Sequence, residues 1–171
     1  MSIFFDKRGD LVIGNAHISC RNFSGNRFGV GGSKGFCVSI EDPDFAQRLA
    51  DEGWNVKIKQ NPKDPDDEPY IYIPVAVNYN ERFHPNIYMY TGRNRVCMEN
   101  NTVATLDNAD LEKIDLIIHG RKREDPTTHE VRVKAFLKTG HFTLEDDPFA
   151  DDYADYMQNG VNNDDQVPFD A

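Results

Sequence analysis

Val131-Arg132-Val133-Lys134-Ala135-Phe136-Leu137-Lys138 alternates aliphatic residues with cations, the aromatic Phe136 taking one of the cation positions. Successive side chains of a β-strand point to opposite faces. Val131, Val133, Ala135 and Leu137 therefore share an inward face, and Arg132, Lys134, Phe136 and Lys138 share an outward one. A slip of one residue would bury the three cations, so the register is strongly specified. The same alternation recurs upstream. Ile71, Ile73, Val75 and Val77 face in, leaving Tyr70 and Tyr72 out. Ile87 and Met89 face in, leaving Tyr88 and Tyr90 out; Val56 and Ile58 face in, leaving Lys57 and Lys59 out.

The remaining elements are arranged around these strands. Residues 11–23 read as one strand, with Ala16, Ile18 and Cys20 on one side and His17, Ser19, Arg21 and Phe23 on the other. A glycine-rich loop over 24–35 leads to a second strand over 36–40. Asp42-Pro43 begins a short helix that Gly53 ends, since Asp caps an N-terminus, Pro fits the first turn and Gly fits just past the last. Phe45 and Leu49 are four apart and face the core, as do Phe36 and Trp54 by parity. Residues 61–69 form an acidic loop with three prolines, and 100–110 are irregular or a short helix. Strands over 112–119 and 131–143 flank a loop containing Arg121, Lys122 and Arg123. Many strands with one or two short helices define a mainly β chain, a small closed or partly closed barrel.

Net charge obscures this core. The 171 residues carry 19 Lys and Arg against 29 Asp and Glu, a formal −10. Nine of those acids fall after Thr143, where there is no Lys or Arg, leaving 20 acids against all 19 bases in the core. Residues 1–143 are thus expected to be the folded unit, and residues 144–171, acidic and without hydrophobic periodicity, a disordered tail. An acidic total argues against a nucleic-acid partner; a near-neutral core with clustered cations does not. No apolar run approaches the roughly 18 residues of a membrane span, and Met1 to Asp10 lacks a signal-peptide core. The three cysteines, Cys20, Cys37 and Cys97, are odd in number and widely spaced, which fits buried reduced thiols rather than a disulfide framework or zinc site.

Exposed aromatics beside exposed cations suit sequence-tolerant binding of single strands. Every base offers a face to stack, worth about 1–3 kcal/mol, and the phosphates supply a salt-dependent remainder. On this reading Arg132, Lys134, Lys138, Lys57 and Lys59 neutralise phosphates, while Phe136, Tyr70, Tyr72, Tyr88 and Tyr90 stack bases. Arg21, Phe23, Lys34 and the Arg121-Lys122-Arg123 loop close over the strand. Enzyme chemistry finds less support. His17, His84, His119, His129 and His141 form no metal-ligand spacing, and the acids Asp64, Asp66, Asp67 and Glu68 sit in the proline-broken loop. Gly29-Val30-Gly31-Gly32-Ser33-Lys34-Gly35 is glycine-dense but lacks the spacing of a phosphate loop, because Lys34 precedes Gly35 rather than Ser or Thr. No cofactor or metal is expected.

The end of the chain adds a second signal. Asp164-Asp165-Gln166-Val167-Pro168-Phe169 sets two acids before an apolar tip. Such an arm can occupy a cationic groove when nucleic acid is absent. It can also offer Val167, Pro168 and Phe169 to a partner's apolar pocket beside basic residues. This tail resembles that of bacterial single-stranded-DNA-binding proteins, which end in an acidic run and Asp-Ile-Pro-Phe. The body resembles a family of phage single-stranded-DNA-binding proteins, through Asn22-Phe23-Ser24-Gly25, Asp51-Glu52-Gly53-Trp54-Asn55-Val56-Lys57, Ile114-Asp115-Leu116-Ile117-Ile118 and Lys134-Ala135-Phe136-Leu137-Lys138-Thr139.

The resemblance implies an elaborated oligonucleotide/oligosaccharide-binding (OB) barrel in the cytoplasm of an infected bacterium. It also implies coating of single-stranded DNA during phage replication and recombination, and recruitment of replication or recombination proteins through the tail. A homo-oligomer is compatible with it. Two departures stand out. Asp170 and Ala171 follow Phe169, which points to a phage-encoded partner or the groove itself rather than host proteins that read a terminal carboxylate. An OB barrel also places its helix between the third and fourth strands, whereas the clearest helix here lies between the second and third. The alternative is a protein-interaction module, such as a phage inhibitor whose acidic tail mimics DNA. It requires an apolar patch where the basic-aromatic strip stands.

Overall fold

The alternation in 131–138 is realised in the longest hairpin of the chain. In a computed structural model, which describes residues 1–26, 32–80, 82 and 84–145, ten strands are ordered β1 Ser2–Phe5, β2 Leu11–Gly14, β3 Ile18–Asn22, β4 Gly35–Ser39, β5 Lys57–Lys59, β6 Tyr70–Ala76, β7 Asn86–Thr91, β8 Asn94–Met98, β9 Leu111–Glu124 and β10 Val131–Leu144. Helix α1 covers Pro43–Asp51, and a 3-10 turn covers Val103–Asp107. β9 and β10 pair antiparallel along nearly their whole length. The turn between them is set by Asp125, whose Oδ1 accepts from the backbone of Thr127 at 2.8 Å and Thr128 at 3.2 Å. Arg121, Lys122 and Arg123 therefore lie on a paired strand, not in the expected loop.

The architecture is mainly β, with one sheet whose path runs β1-β2-β9-β10-β6-β4-β3; β5 joins β6, and β7 joins β10 and β8. The path is open, with ends at β1 and β3. β10 is its hinge. It pairs in parallel with β6 at Phe136↔Ala76, then with β7 from Thr139↔Asn86 to Thr143↔Tyr90. A bulge at Lys138, between Leu137 and Thr139, separates the two pairings. An extra residue reverses parity, so Leu137 and then Gly140 and Phe142 point inward. Among the described residues no helix is long and apolar enough to cross a membrane.

Two further irregularities correct the expected single strand over 11–23. Asn15 has φ of +52°, a left-handed conformation that Asn tolerates, and it splits β2, on β9, from β3, on β4. Cys20, at φ of +50°, then forms a bulge between Ser19 and Asn22. The bulge turns Phe23 inward, where its ring packs at 5.4 Å on Phe36 and edge-on to Phe142 at 5.7 Å. All three rings are buried, and each full burial stabilises by about 1.5–3 kcal/mol.

α1 forms as its caps dictate. Asp42 Oδ1 accepts from the backbone of Asp44 and Phe45 at 3.0 and 3.3 Å. Gly53 leaves the helix at φ of +98°, and a Cβ there would lie 2.2 Å from the Val131 carbonyl oxygen. Leu49 is buried and Phe45 half-buried, stacked on Phe5 at 5.6 Å. Trp54 is in the core as expected and bridges to Val133. Inward parity fails at the sheet margins. Ile58 is 68% exposed and Val131 46% exposed, because β5 and the outer hairpin reach beyond the core. Strands β1 and β8 are additional to those expected. The 3-10 turn falls in the segment read as irregular or a short helix, and α1 lies between β4 and β5.

Candidate nucleic-acid interface

The outer half of the β9–β10 hairpin concentrates positive charge. Arg121 is the ladder partner of Lys134, and Arg123 that of Arg132. Directly opposed residues share a face, so four cations form a two-by-two array there. Phe136 lies at its inner end, with Arg121 Cζ 4.6 Å and Lys134 Nζ 5.2 Å from the ring centroid. Lys122 is the partner of buried Val133 and falls on the other face of the ladder. The three basic residues 121–123 therefore do not act together: Arg121 and Arg123 join the array, and Lys122 does not.

The array forms one wall of a groove of about 1030 Å³. Arg121, Arg123, Arg132, Lys134 and Phe136 line it on the hairpin side; Trp54 and Asn55, Pro74 and Ala76 of β6, and Cys20 and Cys37 of β3 and β4 complete it. Burial, together with the neighbouring Cys20 thiol, pushes the Cys37 thiol up to about 11, so it is a neutral wall group at physiological pH. The face continues along β6. Ala76 neighbours Phe136, and beyond Pro74 the outward side chains are Tyr72 and Tyr70. Their rings stack at 5.3 Å, and Tyr70 shares a 3.0 Å hydrogen bond with Ser19 Oγ. Lys57 pairs across from Tyr72 and Lys59 from Tyr70, both exposed.

Tyr88 and Tyr90 occupy the outward face of β7, farther along β10, and are absent from the groove lining. Tyr88 stacks on His141 at 5.4 Å with Arg95 over its ring at 5.1 Å, and Tyr90 Oη lies 2.8 Å from His141 Nδ1. Four expected contacts are drawn into the fold. Phe23 is fully buried, so it cannot stack on a base. Arg21 Nη1 donates to the carbonyls of Leu106 and Ala109 at 3.2 and 2.6 Å, clamping the 3-10 segment. Lys34 Nζ donates to the carbonyl and side-chain oxygens of Asn100, both at 2.6 Å. Burial holds its pKa below the usual lysine value despite the Asp107 carboxylate. Lys138, displaced by the bulge, donates to Asp10 Oδ2 at 2.7 Å. Sequence reading missed His119, directly across from Phe136; extending the Arg121–Arg123 parity two residues back would have found it. The tail residues Asp164, Asp165, Val167, Pro168 and Phe169 lie outside the described residues.

A family model described as a putative phage ssDNA-binding domain matches residues 1–167, nearly the whole chain. This chain belongs to that family of phage single-stranded-DNA-binding proteins. Among solved structures, it is similar to the single-stranded DNA-binding protein of bacteriophage Enc34 in complex with ssDNA, at 15% identity over 84% of this chain and 91% of that one, with a TM-score of 0.49. A second structure of the bacteriophage Enc34 single-stranded DNA-binding protein aligns at 16% identity over 84% of this chain and 86% of that one, with a TM-score of 0.48. Gp2.5, a single-stranded DNA-binding protein encoded by bacteriophage T7, aligns at 12% identity over 82% and 95%, with a TM-score of 0.37. No curated protein matches.

Proposed function

We propose that this chain coats and protects single-stranded DNA without sequence preference or catalysis, in phage DNA replication and recombination. The observation that carries the reading is the array of Arg121, Arg123, Arg132 and Lys134 around Phe136 in one groove. Four clustered cations can follow a phosphate backbone, while an aromatic at their inner end accepts any base. The stacked Tyr70–Tyr72 pair, flanked by Lys57 and Lys59, extends the path along the same face of β6. Tyr88 and Tyr90 would serve a longer strand along β10. Cations that meet phosphates and aromatic faces that accept any base make up this path, which supports sequence tolerance.

The acidic segment 144–171 is complementary in charge to the groove and would compete with DNA for it. Once displaced, Asp164, Asp165, Val167, Pro168 and Phe169 would be available to a replication or recombination partner. The test is fluorescence anisotropy of labelled oligo-dT titrated with full-length chain and with a chain ending at Thr143, across a salt series. Salt-sensitive binding that tightens on truncation supports both groove and tail. Binding by neither form at low salt would favour the interaction-module reading.

A further inference from the structure

One register step beyond the cationic array, His119 stands directly across the ladder from Phe136, on the face that carries Arg121 and Lys134. Its Nδ1 lies 2.9 Å from Asp10 Oδ1. The other oxygen of the same carboxylate receives Lys138 Nζ at 2.7 Å. The Asp10 side chain is 3% exposed, whereas the His119 side chain is 56% exposed. Asp10 is fixed in turn, since its backbone N–H donates to Asp6 Oδ1 at 2.9 Å. A buried carboxylate therefore orients a surface imidazole that is not itself in the groove lining but stands across the ladder from Phe136, which is.

The chemistry of that orientation constrains what the ring can bind. Lys138 and His119 hold Asp10 below the usual carboxylate range against the opposing effect of burial, so Asp10 is an acceptor only. The His119 Nδ1 facing it must carry the proton, and a neutral ring then presents a bare Nε2 acceptor on its other edge. A phosphate oxygen is also an acceptor and can meet Nε2 only when that atom is protonated. Charge leads to the same result. Lys138 already balances Asp10, so a phosphate arriving here brings an uncompensated negative charge that an imidazolium would neutralise. Arg121 on β9 and Lys134 on β10 share this face of the ladder, and Lys7 and Arg8 are exposed on the β1–β2 turn that carries Asp10.

We propose that His119 is a proton-linked phosphate contact: a phosphate next to the base at Phe136 accepts a hydrogen bond from Nε2, and the proton is taken up from solvent as the strand binds. No bond to phosphorus is made or broken. The inference rests on the groove being the single-strand site. Its test is the affinity of the full chain for oligo-dT at fixed salt between pH 8 and pH 6, beside His119→Gln and the control His17→Gln, whose ring pairs with Glu41 elsewhere. Gln can still donate to Asp10 but cannot take a charge.

Wild type and the control should tighten about 5–10-fold over this range, while His119→Gln stays flat and matches wild type at pH 8 within about twofold. A pH dependence in His119→Gln equal to that of wild type would overturn the proposal. Calorimetry of the wild-type chain in buffers of differing ionisation enthalpy reads it without a variant. Proton uptake approaching one per bound site is expected, and zero uptake overturns it. Failure of wild type to bind oligo-dT at any pH would instead overturn the assignment of the groove.

Discussion

Arg121 and Lys134 face each other directly across the β9–β10 ladder, and the next pair outward, Arg123 and Arg132, repeats the arrangement. Like charges in directly opposed positions destabilise a sheet. A fold optimised for stability alone would alternate the signs here, as sheet surfaces commonly do. Glu130 reaches Arg132 at 3.7 Å, but both side chains are well exposed, and such a pair contributes little. The opposed Arg123 and Arg132 thus place like charge on a face that also carries a half-buried aromatic, and an external polyanion would relieve it.

Converting Arg123 to Glu should therefore raise stability while weakening DNA binding. The substitution makes an opposed like pair into an opposed unlike pair, worth about 0.2–1 kcal/mol in the ladder. Thermal melting should shift up slightly. The salt dependence of oligo-dT affinity should lose about one unit of slope or more, because a phosphate contact becomes a repulsion. Lys122→Ala, on the other face of the same strand, should leave the slope nearly unchanged. A stability loss in Arg123→Glu would show that the array is not repulsive.

Phe136 and Phe23 separate the two uses of an aromatic ring in this chain. Phe136 is half-buried on the groove, so Phe136→Ala should weaken oligo-dT binding by about 1–3 kcal/mol with a small change in the urea midpoint. Phe23 is fully buried against Phe36 and Phe142, so Phe23→Ala should remove about 3–5 kcal/mol of stability. Chemical unfolding of both variants beside anisotropy distinguishes them. A large stability loss at Phe136 would place that ring in the core.

The contrast between these two rings also shows what could be read from the sequence. Faces are legible where alternation runs through the middle of the sheet, as in Ile73, Val75 and Val77 or Val133, Ala135 and Leu137, all buried, but not at its margins, where Ile58 and Val131 are exposed. They failed where a single residue slipped the count. Phe23 was placed outward because nothing local marks Cys20 as a bulge; a non-glycine residue at positive φ is held there by pairing with β4. Lys138 was read into the strip because its bulge exists to pass β10 from β6 to β7, a tertiary requirement. Asp125-Pro126 is the local turn signal, and it leaves Arg121–Arg123 on the strand that precedes the turn. The groove itself needs β4, β6, β9 and β10 together, and no stretch of sequence contains it.

Asp10 makes a pH-dependent contribution whose sign follows from its environment. Burial alone would raise its pKa; the hydrogen bonds from Lys138 and His119, with their charge, outweigh burial and lower it. A carboxyl whose folded-state pKa is depressed stabilises the fold above the unfolded value, near 3.8, and that stabilisation disappears as pH falls through the folded value. Asp10→Asn should accordingly cost about 1–3 kcal/mol near pH 7. Urea midpoints for wild type and variant should converge below about pH 4. A constant gap down to pH 3 would assign the loss to packing rather than charge.

Gly120 supports the groove from beneath and can be tested through the single tryptophan of the chain. A Cβ at Gly120 would lie 2.7 Å from both Trp54 Cζ2 and Val133 Cγ1, closer than either neighbour tolerates without shifting. Trp54 is itself confined by a tilted contact with Phe5 at 6.1 Å and by its bridge to Val133. Gly120→Ala should thus overpack this point and destabilise by about 1–3 kcal/mol, with a changed Trp54 emission in the folded state. Because Trp54 lines the same groove as Phe136, wild-type emission should also change on titration with oligo-dT. The change should saturate with the anisotropy signal and disappear with it at high salt. Binding by anisotropy with no response from Trp54 would move the DNA path off this groove and onto the Tyr88 face of β7.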